Sequence, residues 1–333
     1  MTVRWGILGA ARFAEKHMAP AIHAAKGASL DALATSSPDK AERFRAFCPG
    51  LRVHDSYEGL LDDPEIDVVY IPLPNTLHVG WSLKALAAGK HVLCEKPIAM
   101  QAPEIDALIA ARDQSGLLAA EAYMIVHHPQ WQRTRALIAD GAIGQVVHVE
   151  GLFGFDISAD PGNIRNRPET GGGAIPDIGV YTYGSTRFAT GAEPEDITQA
   201  ALVFDRGVDV MAQVSAKFPG FTAHWVNSTR MFPAQTMTFV GSEGLIRLTA
   251  PFNAGVFGEA RVEVHQPGLA IREERFPGVN QYVLQVEAFC RSVDGGEPYA
   301  WPLEEARATQ RMIDRIYTKA QGGVSASSIR MMC

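Results

Sequence analysis

Through residues 1–120 the chain alternates short apolar runs with longer amphipathic stretches, and few folds accept that rhythm. The apolar runs lie at 3–8, 30–34, 68–71, 91–94 and 117–120, and helix-like patterns fill 13–26, 39–47, 77–88 and 104–114. Parallel strands cannot be joined by a tight turn and need a long crossover, usually a helix. Strand-helix repetition therefore predicts a parallel sheet with right-handed crossovers and helices on both faces. Gly89 and Gly116 stand just past two of the predicted helices, where a left-handed residue is cheap only for glycine.

After about residue 122 the rhythm changes. One helix-like segment at 130–140 is followed by strand-like runs at 146–155, 197–204, 208–217, 236–240, 245–248 and 262–265, separated by close turns. Such spacing predicts a largely antiparallel sheet. Helical patterns at 281–293 and 303–319 end the fold, and the small, polar tail 322–333 is expected to fray. With 333 residues against the roughly 100–200 of one domain, two domains are expected, 1–122 and 123–333. No low-complexity linker separates them, so the border reads as a packed hinge.

Composition excludes several classes of function. A net charge of -7 with no basic block argues against nucleic acid and against an anionic membrane surface. The start has no apolar leader and no run approaches the ~18 apolar residues of a membrane span, so a cytoplasmic location is expected. Cys48, Cys94, Cys290 and Cys333 lie far apart without a C-x-x-C pair, which fits reduced thiols. The histidines show no ligand spacing, and no metal is expected.

Gly6-Ile7-Leu8-Gly9-Ala10-Ala11-Arg12-Phe13-Ala14 closes the first strand and opens the first helix. There a pyrophosphate accepts backbone N–H groups at the positive helix end. Gly9 permits the tight turn, Ala11 replaces the second glycine of the G-x-G-x-x-G/A fingerprint, and Ala14 suits close helix–strand packing. The segment thus reads as a Rossmann dinucleotide loop, with Gly9, Ala11, Arg12 and Phe13 as cofactor contacts.

At the end of the second strand stand Thr35-Ser36-Ser37-Pro38-Asp39-Lys40, with Arg43 beyond. No carboxylate occupies the tip to repel a 2′-phosphate, so Ser36, Ser37 and Lys40 favour NADP over NAD. Asp39 keeps NAD open, and the serines also read as helix N-caps.

Two further segments end buried strands at the same sheet edge. One is Tyr70-Ile71-Pro72-Leu73-Pro74-Asn75-Thr76-Leu77-His78, a proline-stiffened loop; the other is Ala88-Gly89-Lys90-His91-Val92-Leu93-Cys94-Glu95-Lys96-Pro97. Ligands of open α/β sheets bind outside the carboxyl ends of strands. With Gly6-x-x-Gly9, Pro74-Asn75-x-x-His78, Glu121-Ala122-Tyr123-Met124, His128-Pro129 and Gly171-Gly172-Gly173-x-x-x-Asp177-x-Gly179-x-Tyr181, these segments make the chain resemble the Gfo/Idh/MocA family over nearly its whole length.

The resemblance implies a doubly wound Rossmann domain followed by an α+β domain with a large, mostly antiparallel open sheet. It implies that Lys96 lies beside the reacting carbon and the nicotinamide, as a cofactor contact as well as a catalytic group, with a cis bond before Pro97. An ammonium there hydrogen-bonds the substrate oxygen and stabilises developing alkoxide charge. Leu73, Pro74, Asn75, His78, Glu95 and Pro97 are implied as cofactor neighbours. Tyr181 is implied as proton donor or acceptor and Asp177 as substrate-binding, the two sharing a helix face four residues apart. A phenol titrates near pH ~10, so a lysine cation nearby would help lower it.

Arg165 offers a bidentate donor for diol oxygens, and Tyr123 and Phe155 offer apolar walls for a sugar ring, although aromatics at strand spacing are as a rule core. Tyrosine in place of the histidine of many relatives points to the sugar and dihydrodiol branch. The expected activity is NAD(P)-dependent oxidation of an aldose at its anomeric carbon, or the reverse reduction, with dihydrodiol oxidation as a neighbour. Two alternatives stay open: a non-redox glycoside-processing enzyme with retained NAD, and a ligand-sensing regulator, which as a rule lacks the lysine. The resemblance also implies a homodimer or dimer of dimers through the open sheet face.

Overall fold

The computed structural model describes residues 2–322; of the tail 322–333 expected to fray, Gly322 ends the last helix and the rest, with Cys333, lies outside the described residues. Strands β1 Val3–Leu8, β2 Ala28–Ala34, β3 Arg52–His54, β4 Val68–Ile71, β5 His91–Cys94 and β6 Ala119–Glu121 form one sheet in the order β3-β2-β1-β4-β5-β6. Every pairing in it is parallel. All four residues of β4 are buried, as a strand covered on both faces requires. The order reverses between β1 and β4, the switch point at which loops part and leave a crevice at the carboxyl edge.

The crossovers carry α1 Ala19–Ala24, α2 Pro38–Arg45, α3 Tyr57–Leu61, α4 His78–Ala87 and α5 Ala102–Ser115. Helix α5 shows why these segments stop where they do. Gln101 and Glu104 form a reciprocal capping box at its start, and Gly116 ends it at φ +67°. Strand β3 and helix α3 were not expected: β3 is three half-buried residues at the sheet edge and offers no apolar run to read.

The second sheet follows helix α6 Pro129–Ala139. Its strands are β7 Val146–Asp156, β8 Asp196–Asp205, β9 Val208–Phe218, β10 Phe221–Ser228, β11 Arg230–Gly241, β12 Leu245–Leu248, β13 Arg261–Gln266 and β14 Ala270–Arg275, in the order β14-β13-β12-β11-β7-β10-β9-β8. Only β7 and β10 pair in parallel. Val149, Phe153, Val214, Trp225 and Phe239 fill the inner face, against which helix α7 Val180–Thr190 packs. β10 and β14 were not expected. The inward row of β10 mixes Phe221 and Trp225 with Ala223 and Asn227, and β14 is a charged edge strand, as edges that must resist further pairing often are.

Two compact units result, with a division unlike the expected single break after 122. Among the described residues, one unit holds 2–128 and Val279–Arg307; the other holds Pro129–Gly278 and 308–322. Helix α8 Gln281–Val293 therefore belongs with the parallel sheet: Phe289 sets its ring 5.3 Å from that of Trp5 in β1. Trp301 stacks on Tyr123 at 4.4 Å in the same unit. Helix α9 Leu303–Gly322 starts in the first unit and ends in the second. Helical periodicity reveals that a helix has an apolar face, not which sheet receives it. No helix of the described residues is long and apolar enough to cross a membrane.

In the second unit, a π-helical turn Ile175–Gly179 leads into α7. Its start is held by buried Asp209, whose Oδ2 accepts the Ile175 N–H at 2.7 Å while Oδ1 accepts the Tyr317 hydroxyl at 2.7 Å. Gly173, at φ +137°, brings the chain so close to Asp209 that a Cβ there would collide with the carboxylate. Burial pushes the Asp209 carboxyl up to about 6, against the pull of these hydrogen bonds.

Truncating Phe289 to alanine should cost about 3–5 kcal/mol in urea unfolding. A loss below about 1 kcal/mol would show that α8 is not part of the core around Trp5. For Asp209, the native state keeps a proton between the unfolded carboxyl's 3.8 and the folded value of about 6. Its contribution to stability is thus complete below the lower value and lost as pH rises through the upper. The wild type should lose stability over that interval relative to Asp209→Asn, and parallel urea midpoints across it would remove the assignment.

Candidate active site

The first loop is shaped by Gly9. It lies at φ +103°, and its N–H donates to Ala34 O at 3.0 Å. A Cβ there would sit 2.9 Å from the Leu73 side chain and 3.2 Å from the Tyr57 hydroxyl, so the turn passes where only glycine fits. The helix opens at Arg12, and its first N–H groups have no carbonyl behind them. Arg12 is exposed, with Ala11 and Phe13 half-buried beside it. Exposed donors at a positive helix end, on the carboxyl edge of a parallel sheet, fit a dinucleotide pyrophosphate.

At the tip of β2, Ser36 and Lys40 are exposed and Ser37 is half-buried. Ser37 occupies the N-cap of α2, yet its hydroxyl makes no capping bond; its N–H donates to Thr35 Oγ1 at 3.2 Å. Arg43 faces solvent in an ion pair with Glu15 at 3.5 Å. The serine hydroxyls and cations thus lie at the surface beyond the strand, with Asp39 also exposed in the first helical turn.

The next two loops carry the lysine. β4 runs into Pro72-Leu73-Pro74 and β5 into Glu95-Lys96-Pro97, where the Lys96–Pro97 bond is cis. Lys96, Pro74 and Asn75 are half-buried. Glu95 Oε1 accepts the Tyr70 hydroxyl at 2.6 Å, and Oε2 lies 3.3 Å from the Lys96 N–H. Burial raises the Glu95 carboxyl above its usual range, opposed by the Tyr70 hydrogen bond and the Lys96 charge.

Two expected contacts need correction. His78 is 0% exposed, with Nδ1 2.8 Å from Pro97 O and Nε2 2.8 Å from Leu73 O, so no surface remains for the expected cofactor contact. Tyr123 is also 0% exposed and stacked on Trp301, a core position rather than a sugar-facing wall. Leu73 and Pro97 are buried beneath their loops.

The sequence did not single out Tyr282. Helix α8 brings its ring to 5.6 Å from Phe13 and 5.4 Å from His17, beside the dinucleotide turn. Burial, then the charge of Glu95, raises its phenol well above the ordinary value. No motif announces Tyr282, because its place follows from the docking of α8.

The second unit gathers its own group. Arg165 Nε donates to Asp177 Oδ2 at 2.6 Å, joining two residues that the sequence assigned separately to substrate. Gly172 lets the glycine segment pass against the main chain at Arg165, since a Cβ there would meet the Arg165 carbonyl at 2.5 Å. Tyr181, in α7, is 6% exposed, its ring 5.9 Å from Phe153 and 5.7 Å from Phe252. Phe155 is half-buried, edge-on to Phe153 at 6.2 Å. Phe252 and Asp209 were both missed. For Asp209 a signal existed: Val208-Asp209-Val210 sets one carboxylate inside an apolar strand.

The family model for the oxidoreductase family with an NAD-binding Rossmann fold, Gfo/Idh/MocA, matches residues 3–123, and the model of the family's C-terminal domain matches 131–247. Over 330 residues the chain is 36% identical to an uncharacterized oxidoreductase of Rhizobium meliloti, covering 96% of this chain and 98% of that one. It is 33% identical to the D-xylose 1-dehydrogenase (NADP(+)) 2 of Haloferax volcanii, over 96% and 98% of the two chains. Among solved structures, the 3-ketoreductase KijD10 of Actinomadura kijaniata, in complex with NADP and TDP-benzene, superposes with a TM-score of 0.88 at 30% identity, over 96% of this chain and 98% of that one. With both domains matched and the parallel sheet, glycine turn and lysine loop in place, the chain belongs to the Gfo/Idh/MocA family and is an NAD(P)-dependent oxidoreductase.

Proposed function

We propose that the enzyme oxidises a sugar or sugar-like secondary alcohol, or reduces the corresponding carbonyl, with NADP preferred over NAD. The carrying observation is the linkage of the lysine loop to the dinucleotide turn. Leu73 packs where a Gly9 Cβ would stand, and the Leu73 carbonyl is joined through His78 to Pro97, next to Lys96. A bound nicotinamide supplies or takes up the hydride.

Lys96 donates a hydrogen bond to the substrate oxygen and stabilises the alkoxide charge that grows on it. Tyr181 gives or takes the hydroxyl proton, its ring direction set by Phe153 and Phe252. Asp177, oriented by Arg165, binds a neighbouring substrate hydroxyl. The carboxylate-free tip of β2, with Lys40 and Arg43 beyond it, supports NADP, as do the named cofactors of the Haloferax and Actinomadura relatives. The reading includes a cytoplasmic location and a homodimer or dimer of dimers; light scattering tests the assembly through its molar mass.

Pentoses, hexoses and cyclic diols offered with NADP or NAD should give a nicotinamide absorbance change for at least one sugar, faster with NADP. Silence across the panel would reject the reading. Lys96→Ala and Tyr181→Phe should each lower turnover by at least about tenfold while cofactor binding stays close to wild type. Near-wild-type turnover in either variant would reject the role given to that residue.

A further inference from the structure

The peptide group that follows Pro97 is gripped at both ends by buried ionisable side chains. Its carbonyl, Pro97 O, lies 2.8 Å from His78 Nδ1, and its N–H, on Ile98, donates to Glu121 Oε1 at 2.9 Å. Each side chain reaches on to a second element. His78 Nε2 lies 2.8 Å from Leu73 O, and Glu121 Oε2 accepts the Trp301 indole N–H at 2.9 Å. Their exposures are 0% and 2%, so neither presents a surface to a ligand.

A carbonyl oxygen only accepts. His78 therefore satisfies both of its carbonyls only while it carries both ring protons, whereas a neutral ring leaves one contact without a hydrogen. Burial outweighs the two carbonyls and, with the Lys96 charge, holds the His78 imidazole below its ordinary value, so the neutral ring donates to one carbonyl at a time. Carboxylate and imidazole, pulling on opposite ends of one amide, fix its plane. Through the Leu73 carbonyl, His78 also ties this peptide to the residue whose side chain lies against the Gly9 turn.

We propose that His78 and Glu121 are positioning residues for Lys96: by clamping the Pro97–Ile98 peptide between them, they set the main chain from which the ammonium projects. This rests on the reading that Lys96 acts on the substrate. A purely structural role would lower stability and leave Lys96 unaltered.

The test uses the full-length chain as wild type, His78→Ala, His78→Asn, which restores one donor, and Glu121→Gln. The first readout needs no substrate: labelling of Lys96 by trinitrobenzenesulfonate against pH, followed by peptide mass spectrometry. The expected result is a labelling profile displaced in His78→Ala and Glu121→Gln, with partial return in His78→Asn. On whichever sugar the wild type turns over, kcat should fall by about tenfold or more while KM for NADP changes by less than about twofold. Should His78→Ala fail to fold, His78→Asn and Glu121→Gln decide the matter by labelling. Folded variants with wild-type labelling and kcat would overturn the proposal, even if less stable. A wild type inactive on every sugar would fail the functional reading instead, leaving the labelling result to judge the clamp.

Discussion

Parallel pairing of β1, β4 and β5 is the constraint from which the first unit's chemistry descends. Parallel strands end at the same edge, so the Gly9 turn, the Pro72-Leu73-Pro74 loop and Glu95-Lys96-Pro97 emerge side by side although Lys96 stands 87 positions after Gly9. Strand order then matters as much as direction. Because the order turns at β1 and β4, loops leave this edge on opposite sides and the first helix aims its unpaired N–H groups at the space between.

Precision within that edge comes from side chains that never face a ligand. Tyr70 fixes Glu95, His78 joins the proline loop to the lysine loop, and Glu121 ties the same loop to Trp301. Hydrogen bonds in a dry interior are costly to leave unmade, so each bridge restricts its loop more firmly than an exposed equivalent would. The second unit uses the same device. Asp209 is kept buried at a carboxyl-raising cost because it holds the start of the helix on which Asp177 and Tyr181 stand.

Much of this was legible in the residues. The strands 3–8, 68–71, 91–94 and 245–248 and the helix 281–293 fall where the pattern put them, since long apolar periodicities and glycine stops are local signals. Strands β3, β10 and β14 were illegible for three different reasons: brevity, a mixed inward row and a charged edge. Lys96, Asp177 and Tyr181 were named from motifs and Arg165 as a loop donor, but the Arg165–Asp177 pair was not, because the two stand twelve positions apart across short turns with no regular period.

The sequence by itself determined the α/β character of the first half, the glycine needed at position 9 and the chemical groups available at the strand ends. These depend on backbone conformation and on neighbours close in the chain. Tertiary structure alone decided that α8 and Trp301 return to the parallel sheet, that Tyr282 stands beside Phe13, and that His78 and Tyr123 serve the interior instead of a ligand. The physical reason is that a periodic apolar face states a need for burial without naming its partner. The same imidazole or phenol is a ligand contact or a core bridge according to which surfaces meet around it.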